Sequence, residues 1–125
     1  MITLETILKI HRFSILKYGG ADGVRDIGLL QSSIARPFQT IDGRELYESA
    51  FEKAAALYES LVANHPFIDG NKRTGFLAMV ALIEYYGFLL IASEDEAYDF
   101  TIKVSTGQVA FDDIVKWLKE NSSAT

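Results

Sequence analysis

The chain carries 125 residues at 13.9 kDa, room for one domain of the usual ~100–200 residues. Hydrophobic residues make up 49% and aromatic residues 12%, which supplies a core and excludes a disordered segment. The 12 basic and 17 acidic residues leave a net charge of −5, excluding a global cationic field for nucleic acid; the lack of cysteine excludes disulfides, thiolate nucleophiles and cysteine-ligated zinc.

The opening Met1-Ile2-Thr3-Leu4-Glu5 has no basic run ahead of an apolar stretch, so no secretory signal is visible; with zero cysteines this fits the cytoplasm. Thr3 is placed to cap a first helix whose apolar positions Leu4, Ile7, Leu8 and Ile15 recur at helical spacing, and Gly19-Gly20 ends it. His11 falls on that apolar stripe and is expected to be a hydrogen-bonded core histidine. Asp26 can cap a short second helix through Leu29, Leu30 and Ile34, stopped by Pro37. In residues 37–46 the Asp42-Gly43 pair signals a tight turn, in a small hairpin or an irregular loop.

A long helix is predicted from about residue 48 to 64, with Phe51, Ala54, Ala55, Tyr58, Leu61 and Val62 on one face. The next, over 71–86, is apolar almost all round and belongs in the middle of a bundle. Residues 75–92 read GFLAMVALIEYYGFLLIA, with Glu84 the single charge. A bilayer span needs roughly 20 apolar residues, and an acid at its centre costs ~2.5–3.5 kcal/mol. Gly87 also interrupts the stretch, so a buried helix followed by a short extended segment is expected, with no membrane. Tyr85, Tyr86 and Tyr98 read as packing residues. Two further helices are predicted over 94–105 and 111–120, and the polar tail 121–125 is expected to fray. Strands and helices do not alternate, so residues 1–120 are expected to form a single all-α bundle, with room for one hairpin.

The chemistry is concentrated between the two central helices, in His65-Pro66-Phe67-Ile68-Asp69-Gly70-Asn71-Lys72-Arg73-Thr74-Gly75. Gly70 allows a sharp turn that exposes backbone N–H groups at a helix N-terminus, where partial positive charge favours anions. Lys72 and Arg73 lie in that first turn, against the helix dipole, which suits them to an anion docked there. Asp69 makes sense among phosphates if a divalent cation lies between, and Mg²⁺ uses few protein ligands. His65 supplies an imidazole, the side chain suited near neutral pH to accept a proton from an attacking hydroxyl. Pro66 stiffens the exit from the helix, and Phe67 or Ile68 can plug the loop into the core.

This string resembles the Fic/Doc signature His-x-Phe-x-Asp/Glu-Gly/Ala-Asn, and specifically the Doc (death on curing) branch, where Asn-Lys-Arg-Thr follows. Tyr18-Gly19-Gly20, Arg25-Asp26-x-Gly28-Leu29-Leu30, Ala35-Arg36-Pro37, Tyr47, Lys53-Ala54-Ala55 and Trp117-Leu118 add to the resemblance. It implies a Fic-like helical bundle with a small hairpin flap at residues 37–46, on which a target segment can add as a strand. Most Fic proteins transfer AMP and continue Gly-Asn-Gly-Arg with a further arginine three residues on. Here Lys72 replaces the second glycine and Phe76 the last arginine. For the Doc branch the resemblance implies a toxin of a toxin–antitoxin pair that moves the γ-phosphate of ATP to a threonine of elongation factor Tu. His65 would be the base, Asp69 the metal-binding and orienting residue, and Gly70, Asn71, Lys72 and Arg73 the phosphate holders. ATP and Mg²⁺ are thus the expected substrate and cofactor. The self-inhibitory string Ser/Thr-x-x-x-Glu-Gly/Asn is absent, lysine standing in the hydroxyl position at Lys116. Restraint would therefore come from a separate antitoxin, a disordered segment folding onto an apolar groove. AMP transfer and a catalytically silent binding module are the alternative readings.

Overall fold

Helix ends are set by side chains that complete the hydrogen bonding of otherwise unpaired backbone groups. In the computed structural model, which describes residues 2–125, Thr3 Oγ1 accepts the N–H of Thr6 at 3.2 Å and opens α1, Leu4–Tyr18. Gly19, at φ 87°, closes it by donating to Ile15 O at 2.8 Å. Asp26 Oδ1 accepts from Leu29 N at 3.0 Å and starts α2, Ile27–Ala35, which passes into a 3₁₀ turn, Arg36–Phe38. Strands β1, Thr40–Ile41, and β2, Arg44–Glu45, form a hairpin. Asp42 and Gly43 both have positive φ, 52° and 77°, as the twist of a two-residue hairpin turn requires.

The central pair is α3, Ala50–Asn64, and α4, Asn71–Tyr85. α3 begins two residues later than its apolar pattern suggests because Ser49 and Glu52 form a reciprocal capping box there. Leu57, Tyr58 and Leu61 of α3 and Ala78, Met79, Leu82 and Ile83 of α4 are buried in one core, with Ile7 of α1 and Leu30 of α2. Beyond Gly87 the chain extends as β3, Phe88–Leu90, then forms α5, Glu94–Ser105, and α6, Phe111–Glu120. The fold is the expected all-α bundle with a small β flap.

Three expectations are corrected. The tail does not fray: β4, Ser122–Ala124, pairs antiparallel with β3 in the register Phe88↔Ala124, Leu89↔Ser123, Leu90↔Ser122. The backbone of β3 has no other strand beside it, and its pairing outweighs the polar character of the tail. Tyr85, Tyr86 and Tyr98 are 58%, 39% and 67% exposed, so they do not fill the core; Tyr85 and Tyr86 pack edge-on against each other. Ile68 is also exposed, leaving Phe67 alone as the plug of the loop. No helix among the described residues is long and apolar enough to cross a membrane.

Candidate functional site

α3 ends on an unusual residue. His65 takes the left-handed conformation, φ 46° and ψ 55°, which glycine normally supplies at a helix C-terminus. The loop then turns inward through Phe67, which is buried, and outward through Ile68 and Asp69, which are exposed. Gly70, at φ 76° and ψ 18°, begins α4 without a side-chain cap, so no side chain pairs with the first-turn N–H groups at that end.

Asn71 holds the turn shut. Its Oδ1 accepts from Phe67 N at 2.9 Å and its Nδ2 donates to Phe67 O at 3.0 Å, both buried. The Asn71 side chain, sequence-predicted to face a ligand, is thus engaged within the loop. Phe67 in turn stacks on the His11 ring, centroids 3.8 Å apart and planes 4° from parallel. His11 is the expected hydrogen-bonded core histidine, 2% exposed. Its Nε2 lies 2.8 Å from the Asp69 carbonyl, which only accepts, so Nε2 carries the proton. Nδ1 faces the Asp22 carboxylate at 3.8 Å.

A second strap comes from residues 23–26. Arg25 and Asp26 both donate backbone N–H to Pro66 O, at 2.8 and 3.0 Å, and Ile68 N donates to Gly23 O at 3.0 Å. Val24 bridges Phe67 as an isolated β pair. The Arg25 guanidinium reaches further, donating from Nε to His65 O and from Nη2 to Asn64 O, each at 2.7 Å. It satisfies two carbonyls that the end of α3 leaves open, and a cation there also complements the helix dipole.

The result is one open cavity of about 370 Å³ lined by His65, Asp69, Gly70, Asn71, Lys72 and Arg73, with Ile68 at its edge. All six sequence-predicted site residues therefore meet in one place, the imidazole-bearing residue on the same cavity as the two cations. Asp69 accepts from Ala21 N at 3.2 Å and Gly70 N at 2.8 Å. These backbone donors, Ala21 first, hold its carboxyl below the ordinary carboxylate value, and the charge of Arg73 adds to the effect. The Arg73 guanidinium lies 4.3 Å over the Tyr18 ring. Lys72 and His65 also border a second cavity of about 420 Å³, where Val62 of α3 meets Val104, Val109 and Ile114. Phe76, one turn beyond, packs edge-on to Tyr58 and Trp117 and presents no cation.

Residues 1–83 match the family model described as the Fic/DOC family. The chain belongs to the Fic/DOC family. It is 40% identical over 101 residues to Toxin Doc of Mycolicibacterium smegmatis, covering 79% of this chain and 78% of that protein. It is also similar to Protein kinase doc of Escherichia phage P1, 27% identical over 121 residues, 94% of this chain and 92% of that one. The Fic/DOC loop of this chain rests on residues that its motif alone does not reveal. Arg25, His11, Tyr18 and Ala21 lie more than 30 residues away in sequence, and only the paired glycines at 19 and 20 hint at a close approach. A Cβ on Gly20 would lie 2.7 Å from Asp69 Oδ2.

Proposed function

We propose that this Fic/DOC chain is a Doc-type toxin of a toxin–antitoxin pair that transfers the γ-phosphate of ATP to a serine or threonine hydroxyl of elongation factor Tu, so inhibiting translation. The observation that carries the reading is the single cavity in which His65 stands with Asp69, Lys72 and Arg73 at an uncapped helix N-terminus. Similarity to relatives named Toxin Doc and Protein kinase doc supports it.

His65 accepts the proton of the target hydroxyl as its oxygen bonds to the γ-phosphorus, and the bond from that phosphorus to ADP breaks. The first-turn N–H groups of α4, with Lys72 and Arg73, hold the phosphate oxygens whose charge redistributes during transfer. Asp69 fits Mg²⁺ bound through one carboxylate and the substrate's own phosphates; among the described residues no cluster of three or more acidic or histidine ligands exists. Bound there, Mg²⁺ would neutralise phosphate charge. General-base help from His65 is expected to contribute ~10²–10⁴ in rate. Lys72 in place of bare backbone, and Phe76 packed against Tyr58 and Trp117 where a cation would stand, favour a nucleotide arrangement other than that of AMP transfer.

An antitoxin segment that folds on binding fits the apolar cleft of about 370 Å³ between α1 and α4, walled by Ile10, Phe13, Leu77, Val80 and Ala81. Lys9 and Glu84 stand at its rim.

The deciding experiment incubates the chain and elongation factor Tu with ATP labelled at either the γ- or the α-phosphorus. Label arriving from the γ position, and lost in His65→Ala, is the expected result. Label arriving from the α position would replace the reading with AMP transfer. Growth arrest that survives His65→Ala combined with Arg73→Ala would leave only a silent binding module.

A further inference from the structure

Asp69, just ahead of the N-cap Gly70, and Arg73, in the first turn of α4, carry opposite charges four residues apart, near enough in the chain for their side chains to close into an ion pair. They do not close. No ion pair within 4.0 Å joins them among the described residues. A collapsed pair would neutralise the guanidinium that a phosphate needs and lay it across the mouth of the cavity.

Residues 18–21, at and just after the end of α1, touch both charges, while Gly70 N gives the Asp69 carboxylate its second backbone donor. The Asp69 carboxylate is drawn to Ala21 N, over the bare Cα of Gly20. The Arg73 guanidinium lies 4.3 Å above the ring of Tyr18, which is itself 51% exposed at the last position of α1. Between the two lie only Gly19 and Gly20, at φ 87° and 114°, so the chain turns from one contact to the other without a side chain intervening. The ring attracts a cation through its face, yet, unlike a carboxylate, it leaves the outer N–H donors of the guanidinium unengaged.

We propose that Tyr18 is a positioning residue of the phosphate site: its ring keeps Arg73 from pairing with Asp69 and presents the guanidinium to polyphosphate. The inference rests on Arg73 being a phosphate holder, and the test separates the two. Binding of Mg²⁺-ATP and of inorganic tripolyphosphate is measured by calorimetry on the whole chain. Nuclear magnetic resonance reports in parallel the ring-current shift on the Arg73 Nε proton. Tyr18→Phe should keep the ring-current shift and the affinity of the unaltered chain. Tyr18→Leu should lose the shift and bind both probes roughly two- to five-fold more weakly, the range of an exposed cation–π contact. In an Arg73→Ala background, Tyr18→Leu should weaken binding no further, which a merely structural role for Tyr18 would not produce. Tyr18→Leu binding as tightly as the unaltered chain, or losing as much without Arg73 as with it, would overturn the proposal alone. An unaltered chain that binds neither probe would overturn the phosphate reading and the positioning role with it.

Discussion

His65, the proposed base, stands on an unfavourable backbone. A left-handed conformation costs a residue with a Cβ about 1–2 kcal/mol, asparagine less, glycine none. Glycine would stop the helix there without that cost, so the proposed role of His65 as base gives a reason for a histidine at this position. His65→Asn should therefore keep the thermal midpoint while phosphate transfer falls ~10²–10⁴-fold; transfer near the unaltered rate would remove His65 as the base. Asp69 gives a separate residue-scale prediction. Its folded-state pKa lies below the ordinary 3.8 because Ala21 N and then Gly70 N donate to the carboxylate. Those bonds contribute stability at pH values above the ordinary one, and the contribution disappears as pH falls through the depressed folded value. In metal-free protein, the midpoint of the unaltered chain should fall more steeply than that of Asp69→Asn as pH drops below the ordinary carboxylate value of ~4. Parallel profiles would show that the two backbone donors are not made in solution.

Between elements, the site depends on one long reach. Arg25 lies ahead of α2 but caps α3 at Asn64 O and His65 O, so the strain at His65 is held by a side chain 40 residues earlier. Arg25→Ala frees both carbonyls to water at an exposed end, and should cost about 1 kcal/mol in urea unfolding. If the proposed roles hold, its larger effect should be on kcat, with the KM for ATP little changed, because Arg25 binds the backbone at His65 and touches neither Lys72 nor Arg73. Arg25→Lys should not restore kcat, since a point charge cannot serve two carbonyls in a fork. An equal loss in KM would place Arg25 on the nucleotide instead. This division also explains what the sequence made legible. Caps at Thr3 and Asp26, the Asp42-Gly43 hairpin and the polar cluster of residues 65–73 act within a few positions, so their spacing carries the signal. The contacts of Arg25, Tyr18 and His11 span chain distances that no local pattern encodes. Asn71 is the instructive exception: its two bonds to Phe67 are local, yet an asparagine beside lysine and arginine reads as a ligand before it reads as a clasp.

Across the whole molecule, two anchors lie away from the loop. At the flap, buried Lys53 donates to the carbonyls of Tyr47 and Glu48 and pairs with Glu45, while Arg36 donates to the Tyr47 hydroxyl and pairs with Glu59 of α3. At the opposite end of the sequence, Trp117 stacks on Phe100 at 4.1 Å and meets Phe76, tying α6 to α5 and α4. The β3–β4 pairing then continues past α6, with Ile91 N donating to Asn121 O at 2.7 Å and Thr125 N to Gly87 O at 2.9 Å. A serine-rich tail has little intrinsic preference for a strand, which is why composition pointed to fraying; the unpaired backbone of β3 decides otherwise. Removing residues 122–125 takes away that pairing and the Thr125 contacts but leaves Asn121. Backbone hydrogen bonds contribute about 0.5–1.5 kcal/mol each, so the deletion should destabilise by about 1–3 kcal/mol, read as a lower urea midpoint by Trp117 fluorescence. No tail residue borders the cavity between His65 and Arg73, so the proposed ATP affinity should not change. Combined with Arg25→Ala, the two losses should add to within about 0.5 kcal/mol, as unconnected sites do. A combined loss well beyond the sum would mean that the end of the bundle and the loop are mechanically linked.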